Sequence, residues 1–138
     1  MINMVSFDNI IIYLRKSRSD DPAQTVEEVL AKHERILQDY CIKEYGKVIP
    51  EKRIYREVVS GETIQDRPVM QKLLKELETN NIYGVLIVEP QRLSRGDLQD
   101  CGQIINSFRY TNTAVITPGK TYNLQDEYDR KFFEMELT

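Results

Sequence analysis

Residues whose side chains suit phosphate chemistry follow a short apolar stretch near the start of the chain. Three isoleucines at residues 10–12 are followed within five residues by Tyr13, Arg15 and Ser17. The apolar run predicts a buried strand over residues 10–14, and the alternation of side chains along a strand places these three residues on one side. A serine hydroxyl beside fixed positive charge is suited to attack on an anionic phosphate. Taken by itself, however, the segment is better explained as a strand ending in an ordinary solvated loop.

Two later loops supply more arginines and another hydroxyl. The loop over residues 60–67 begins with Ser60 and ends with Arg67, and the loop over residues 91–95 contains Arg92 and Arg95. Arginine suits phosphate because its planar fork binds two oxygens at once. Two unit charges 4 Å apart interact by about 4 kcal/mol at an effective dielectric near 20, so clustered arginines require a counter-charge. That charge is a bound phosphate, or nearby carboxylates that make the arginines ordinary ion-paired residues; the candidate carboxylates are Glu57, Glu62, Asp66 and Glu89.

Apolar periodicity places these loops within an alternating pattern of strands and helices. The pattern predicts strands over residues 10–14, 48–59, 83–88 and 113–117, and helices over residues 24–45, 66–79, 97–110 and 125–138. Asp66 is the predicted N-cap of the second helix, and Tyr128, Phe132 and Met135 are predicted to continue the apolar period of the last. Such alternation predicts an α/β fold with a mainly parallel sheet of four to five strands flanked by helices. Active sites in such sheets form outside the carboxyl ends of the strands, where all three loops then meet.

Length and composition favour a single globular domain. The chain has 138 residues, a formal net charge of -3 and a sequence pI of about 5.3. This acidic balance argues against non-specific DNA affinity by these residues alone, although it permits a local arginine cluster. No apolar run approaches the ~20 residues of a membrane span, and residues 1–9 do not have the pattern of a secretory signal. Cys41 and Cys101, the only cysteines, indicate neither a disulfide framework nor a zinc site, so we expect a cytoplasmic protein.

No motif for a metal, a nucleotide or another cofactor accompanies the arginines. Gly61 and Gly96 stand alone, without a Walker A or dinucleotide-binding fingerprint. His33, the only histidine, lies within the first predicted helix. We interpret it as a polar residue at the edge of the core, with a position at the margin of the site as the alternative.

Taken together, the three loops resemble those of the serine recombinases, the resolvase/invertase family. Tyr13-Leu14-Arg15-Lys16-Ser17 matches the family's opening Y-x-R-x-S motif, and Arg92-Leu93-Ser94-Arg95 resembles its R-L-x-R motif. Between them, Ser60-Gly61 followed by Asp66-Arg67-Pro68 resembles the second motif. The long helix over residues 24–45 and the wide motif spacing resemble the large serine recombinases, which include phage integrases and mobile-element recombinases.

The resemblance implies a resolvase-like catalytic domain and a role for each motif residue. Ser17 would be the nucleophile that forms a 5′-phosphoserine link with DNA, and a phosphate clamp would surround it without metal or cofactor. The clamp would consist of Arg15, Arg67, Arg92 and Arg95. Tyr13, Ser60 and the acidic residue Glu57 would support the pocket. Ser19 is a competing nucleophile on the same strand face, but only Ser17 completes the motif.

Two positions depart from the family pattern. Gln91 stands where the family often has aspartate, and His33 stands where it often has a glutamine on the first helix. Gln91 can form a hydrogen bond with an arginine but cannot neutralise it or act as a base. An aspartate-based proton transfer at this position is therefore in doubt.

The resemblance also implies partners and boundaries. We expect a catalytic domain over residues 1–124 and the start of a long, truncated interdomain helix over residues 125–138. The expected partners are double-stranded DNA recombination sites and other copies of the chain, as dimers and as tetramers in the active complex, with DNA-binding domains beyond Thr138. Two alternatives remain: a non-catalytic oligomerisation or regulatory module of the same fold, and an unrelated α/β phosphoesterase domain.

Overall fold

A computed structural model describes residues 7–16, 20–58, 64–79, 81–94 and 98–137, with only the backbone of Leu98. Five strands form one sheet: β1 (Ile10–Arg15), β2 (Ile54–Glu57), β3 (Gly84–Leu86), β4 (Ala114–Ile116) and β5 (Thr121–Tyr122). The helices are α1 (Val26–Tyr45), α2 (Pro68–Thr79), α3 (Leu98–Tyr110) and α4 (Glu127–Glu136). The strand order is β2-β1-β3-β4-β5, and all neighbours are parallel except β4 and β5. The predicted α/β class and mainly parallel sheet are confirmed.

Helices cover both faces of the sheet, which explains why β1 is buried along its whole length. The face containing Ile10, Ile12 and Leu14 packs against α1, while Ile11 and Tyr13 belong to the core formed with α2, α3 and α4. A strand buried on both faces is expected to be continuously apolar, as β1 is until Arg15. The switch to arginine therefore marks the point where the strand leaves the core for the sheet edge.

The strand predicted over residues 48–59 is wrong in its extent. Only Ile54–Glu57 pairs with β1, and a 3₁₀ turn over Glu51–Arg53 precedes it. Ile49 is buried without belonging to the sheet, because the side chain of Gln38 on α1 hydrogen-bonds both its N–H and its carbonyl. A side-chain amide thus replaces a neighbouring strand, which propensity does not reveal. The predicted strand over residues 83–88 also shortens, to Gly84–Leu86.

The ends of α1 follow from local capping chemistry. Thr25 and Glu28 form a reciprocal capping box at its start, in which each side chain accepts a hydrogen bond from the other residue's N–H. Gly46 ends the helix at φ 71°, and its N–H donates to the carbonyl of Ile42. The predicted stop at Gly46 is confirmed, and the helix begins two residues later than predicted.

The N-cap predicted at Asp66 is wrong. Asp66 ends a 3₁₀ turn over Ile64–Asp66, and α2 begins at Pro68. The first N–H groups of α2 instead donate to the carboxylate of Glu57, from Val69 at 3.1 Å and from Met70 at 2.9 Å. The cap therefore comes from another element of the fold.

The predicted apolar face of α4 is also wrong. Phe133 is fully buried and Leu137 nearly so, whereas Tyr128 and Met135 are exposed and Phe132 is half-exposed. The helix starts at Glu127, where Asp126 accepts a hydrogen bond from the N–H of Asp129. The ring of Phe133 on α4 contacts the ring of Tyr122 on β5, a short antiparallel strand that sequence patterning did not predict. The pairing of α4 with this strand, rather than its own period, decides which face is buried.

Two features of the structure concern membrane-spanning helices and disulfide bonds. Within the described ranges, no helix is long and apolar enough to cross a membrane. Cys41 and Cys101 are both free thiols, and burial raises the pKa of Cys41 to about 11.

Candidate phosphate-binding site

The sheet register places the predicted site residues side by side. Arg15 and Glu57, the last residues of β1 and β2, lie opposite each other in the parallel ladder. Arg92 lies in a 3₁₀ turn over Pro90–Arg92 that follows β3, and Arg67 directly precedes α2. The described parts of the three predicted loops therefore meet at the carboxyl edge of the sheet.

Arg15 and Arg92 hold each other through their main chains. The Nε of Arg15 donates to the carbonyl of Arg92 at 2.9 Å, and Nη1 of Arg92 donates to the carbonyl of Arg15 at 3.2 Å. Nη2 of Arg15 also donates to the carbonyl of Gln91 at 2.6 Å. Both guanidinium groups are buried, at 2% and 5% exposure of their residues. These bonds fix the end of β1 to the turn that follows β3.

Two carboxylates neutralise Arg92. Asp20 forms a fork with it, with 2.6 Å from Oδ2 to Nη1 and 3.1 Å from Oδ1 to Nη2, and Glu89 lies 2.7 Å from Nη2. Burial acts to lower the pKa of Arg92, but the hydrogen bonds and charges of Asp20 and Glu89 raise it overall. Arg92 thus carries a permanent positive charge whose Nη atoms already bind protein oxygens.

Arg67 is in the opposite situation. Its residue is 1% exposed, and Nη2 donates to the carbonyl of Leu93 at 2.5 Å. Within the described part of the chain, its Nε and Nη1 are buried and have no hydrogen-bond partner. A buried charged donor without a partner is costly unless an anion can bind it. Arg67 is therefore the described residue best prepared to receive a phosphate.

Glu57 organises the base of the site. Its Oε1 accepts from the Tyr13 hydroxyl at 2.9 Å and from the N–H of Met70, while Oε2 accepts from Val69. Burial is the main cause that raises the pKa of Tyr13 well above its ordinary value, so this hydroxyl stays a donor. Both residues are almost fully buried. The supporting role of both residues stays a prediction. Among the described residues, the carboxylate of Glu57 binds the start of α2 and not an arginine.

His33 and Gln91 lie at the margins of the site. His33 is buried on α1 with an unpartnered Nδ1, and burial followed by the positive charge of Arg92 lowers its pKa. Asp20 and Glu89 act in the opposite direction, which places His33 beside the same ion pairs. The side chain of Gln91 donates to the carbonyl of Glu136 at the end of α4, at 2.5 Å. Its main chain, not its amide, therefore contacts an arginine.

Several predicted site residues lie outside the described residues: Ser17, the competing Ser19, Ser60 and Arg95. Their roles stay predictions. Among residues 7–16, 20–58, 64–79, 81–94 and 98–137, no group of three or more His, Cys, Asp or Glu side chains is placed to hold a metal ion. The site in view consists of buried arginines, carboxylates and main-chain carbonyls.

One contributor was missed from the sequence. Asp20 is not among the candidate carboxylates named from the sequence, yet its carboxylate forms the closer of the two ion pairs with Arg92. The available signal was its spacing, five residues after Arg15 in the loop that leaves β1. A carboxylate in such a loop stays near the arginines at the same edge of the sheet, which makes it a candidate counter-charge.

Comparisons with known proteins concern the family and the overall fold of the chain. A family model described as "Resolvase, N terminal domain" matches residues 10–136. The crystal structure of the N-terminal catalytic domain of TP901-1 integrase superposes with a TM-score of 0.67 at 18% identity, covering 91% of this chain and 89% of that one. The C-terminal catalytic domain of ISC1926 TnpA, an IS607-like serine recombinase, gives 0.59 at 22% identity, covering 91% and 94%. At these identities the two structures show a shared fold.

Proposed function

Because the chain belongs to the family of resolvase N-terminal domains, we propose that it is the catalytic domain of a site-specific serine recombinase. In this proposal it cleaves and rejoins double-stranded DNA. The structural neighbours, both catalytic domains of recombination proteins by their descriptions, support the same class. The long α1 and the wide spacing between motifs favour a large serine recombinase of the integrase or mobile-element type.

The observation that carries this proposal is the state of Arg67. Two of its guanidinium nitrogens are buried at the carboxyl edge of the sheet without a partner in the described chain. Neighbouring carboxylates are engaged elsewhere, since Glu57 caps α2 while Asp20 binds Arg92. A scissile phosphate bound to Arg67 would satisfy both nitrogens. Among the described residues, the alternative that carboxylates bind every arginine therefore applies to Arg92, whereas no carboxylate hydrogen bond to Arg67 is found.

The proposed chemistry is an exchange of one phosphoester bond for another. The Ser17 hydroxyl attacks a DNA phosphorus, the bond to the 3′ oxygen breaks, and the serine proton passes to that leaving oxygen. The product is a 5′-phosphoserine link, which stores the bond for rejoining and needs neither metal nor nucleotide. Arg15, Arg67 and Arg95 stabilise charge on the phosphate oxygens during transfer, and Arg92, whose guanidinium binds Asp20 and Glu89, adds its positive charge beside them. Tyr13, Ser60 and Glu57 support the pocket.

The active assembly in this proposal is a tetramer on two paired DNA sites, built from dimers. In this proposal residues 1–124 form the catalytic domain and residues 125–138 belong to an interdomain helix. The formal charge of -3 argues against strong non-specific attraction to DNA by these residues alone.

A non-catalytic module of the same fold is the second candidate. The observation that favours it is Gln91, whose side chain is bonded to the end of α4 and not to an arginine. Such a module would bind DNA or other subunits without forming a covalent link. The two proposals differ in one measurable product, the covalent adduct between protein and DNA, which only the recombinase forms.

The test is to trap that product. Full-length protein is incubated with fragmented DNA from its host, the reaction is quenched with detergent, and DNA that stays bound to protein is sequenced. We expect a covalent adduct at a defined site, formed by the wild type and by Ser19→Ala but absent in Ser17→Ala. The recovered site then serves as substrate for kinetic measurements.

Each other outcome has a distinct meaning. An adduct that persists in Ser17→Ala contradicts the assignment of the nucleophile. Binding without any adduct, in several buffers and at several DNA concentrations, favours the non-catalytic module. Hydrolysis of small phosphoesters without DNA cleavage favours an unrelated phosphoesterase. Cleavage that requires added magnesium contradicts the metal-free mechanism.

A further inference from the structure

Arg92 is saturated by protein oxygens in this structure. Its two Nη atoms together have four N–H donors. The acceptors around them are the main-chain carbonyl of Arg15, both carboxylate oxygens of Asp20 and one oxygen of Glu89. Only Nε is left without a hydrogen-bond partner in the described chain, and it is buried. Arg92 therefore lacks a free fork with which to bind phosphate in this conformation.

The two carboxylates do not contribute equally. The side chain of Asp20 is 15% exposed and that of Glu89 is 45% exposed, against 6% for Arg92. A two-point contact between largely buried partners fixes geometry, whereas a half-exposed ion pair is weakened by solvent. Asp20 is therefore the residue that sets the orientation of the Arg92 side chain.

The Arg92 side chain in turn contacts the main chain of Arg15. Nη1 of Arg92 contacts Asp20 and the Arg15 carbonyl at the same time, and the Arg92 carbonyl accepts from Nε of Arg15. The Asp20 carboxylate is thus linked through the Arg92 guanidinium to the main chain of Arg15, while the Arg15 guanidinium donates to the main-chain carbonyls of Arg92 and Gln91. Displacing the Asp20 carboxylate releases a donor that holds the turn after β3 against the end of β1.

We propose that Asp20 is a positioning residue of the recombinase site, which orients the Arg15 guanidinium through its fork with Arg92. The effect of Asp20 on DNA cleavage rests on the proposed function, whereas its effect on the orientation of Arg15 does not. Asp20 itself does not contact phosphate in the proposal. It makes Arg92 a support for Arg15, while Arg67 supplies the unpartnered donors for the phosphate.

A competing interpretation predicts the opposite effect of Asp20→Asn on the rate of DNA cleavage. If the Asp20 carboxylate merely occupies the place of the phosphate on Arg92, its neutralisation removes a competitor and a repulsive charge. Asp20→Asn would then bind DNA more tightly and cleave it at least as fast. If Asp20 positions Arg15, the same change leaves DNA affinity nearly unchanged and slows the chemical step.

The first experiment measures cleavage on the recovered DNA site with full-length protein. We expect Asp20→Asn to lower the single-turnover rate of adduct formation on the order of 10²-fold, the size of effect that follows from misplacing a catalytic group by about 1 Å. Asp20→Glu, which keeps the carboxylate, should recover part of the rate. Asp21→Asn is the matched control: it removes the same charge one residue away, where the side chain accepts from the N–H of Ala23. Unchanged or faster cleavage by Asp20→Asn overturns the proposal.

The second experiment needs no DNA and so separates this proposal from the proposed function. The exchange of the Arg15 Nε–H with water is followed by nitrogen-resolved NMR of the 138-residue chain. We expect faster exchange in Asp20→Asn and wild-type exchange in Asp21→Asn. On an Arg92→Lys background, Asp20→Asn should cause no additional change, because its effect passes through Arg92. Unaltered Arg15 exchange in a folded Asp20→Asn protein overturns the positioning role, even if the wild type forms a DNA adduct. Altered exchange without a wild-type adduct supports the role and contradicts the recombinase assignment.

Discussion

At the scale of single residues, the arginines of the site differ by the partners that burial gives them. Arg67 and Arg92 are both buried, yet Arg92 is neutralised by Asp20 and Glu89 while two nitrogens of Arg67 have no partner in the described chain. A sequence motif treats them as equivalent members of a clamp. Their hydrogen bonds indicate that one is prepared for an anion and the other serves as a support.

The unsatisfied state of Arg67 predicts a trade between stability and activity. Arg67→Met should raise the free energy of unfolding by about 1 kcal/mol, because it removes two unpaired buried donors at the cost of one hydrogen bond to Leu93. The same change should lower DNA cleavage by about 10²–10³-fold, as for the loss of one oxyanion donor. Chemical denaturation and adduct formation measure the two effects.

Arg53 offers a matched control for that substitution. Its guanidinium donates to the carbonyls of Phe7 and Ile10 and also lies over the Phe7 ring. Arg53→Met should therefore destabilise the protein. If both substitutions destabilise it to a similar degree, Arg67 is not an unsatisfied group in solution.

His33 makes stability depend on pH through its lowered pKa. Burial and the charge of Arg92 disfavour protonation in the folded state, so the folded pKa lies below the unfolded value of about 6.5. The contribution of neutral His33 is fully present above the unfolded pKa and is lost as pH falls through the folded pKa. His33→Gln should therefore lose less thermal stability than the wild type between pH 7.5 and pH 5. Melting temperatures of both proteins at the two pH values test this, and equal losses would contradict it.

At the scale of secondary-structure elements, Glu57 links β2 to α2. One carboxylate binds the Tyr13 hydroxyl and the first N–H groups of α2, where a helix favours negative charge. This contact supplies acceptors for the first N–H groups of α2, which starts at Pro68. It also places Arg67 at the point where the loop enters the helix.

This link predicts that Glu57→Gln destabilises the protein by about 1–2 kcal/mol, because charge-assisted hydrogen bonds at a helix start become neutral ones. Glu76→Gln is the matched control. It also removes a carboxylate that accepts from a tyrosine hydroxyl, that of Tyr55, but it lies towards the other end of α2, where negative charge is unfavourable. Chemical denaturation of both variants should give a clear loss for the first and little change for the second. Equal losses would mean that the helix start contributes nothing specific.

At the scale of the whole molecule, the parallel sheet brings distant loops to one edge. Arg15 and Arg92 are 77 residues apart in sequence and exchange two hydrogen bonds. Close packing between strands supports this arrangement: a Cβ on Gly84 would lie 2.5 Å from Cδ1 of Ile116 on the neighbouring strand. The sheet thus provides the common edge on which a site is assembled from loops.

The sequence by itself determined the class of fold, the parallel sheet and the edge at which the arginines meet. It could do so because strand alternation and helical period are local signals, and because carboxyl ends of parallel strands share one edge. The end of α1 at Gly46 was also predicted, whereas its start was placed two residues early, although the capping box of Thr25 and Glu28 is a local signal.

Only the tertiary structure decided which charges neutralise one another. Asp20 binds Arg92, Glu57 caps α2 and Arg67 keeps two unpartnered nitrogens, and none of this follows from residue types, because every candidate carboxylate lies near several arginines in the predicted layout. The buried face of α4 and the strand it contacts were equally undetermined, since Phe132 and Phe133 both contact Tyr122 of β5 and only the packing of the folded chain buries Phe133 while Phe132 stays half-exposed. The physical reason is the same in both cases. Pairing of charges and packing of faces depend on distances between elements, which local sequence patterns do not encode.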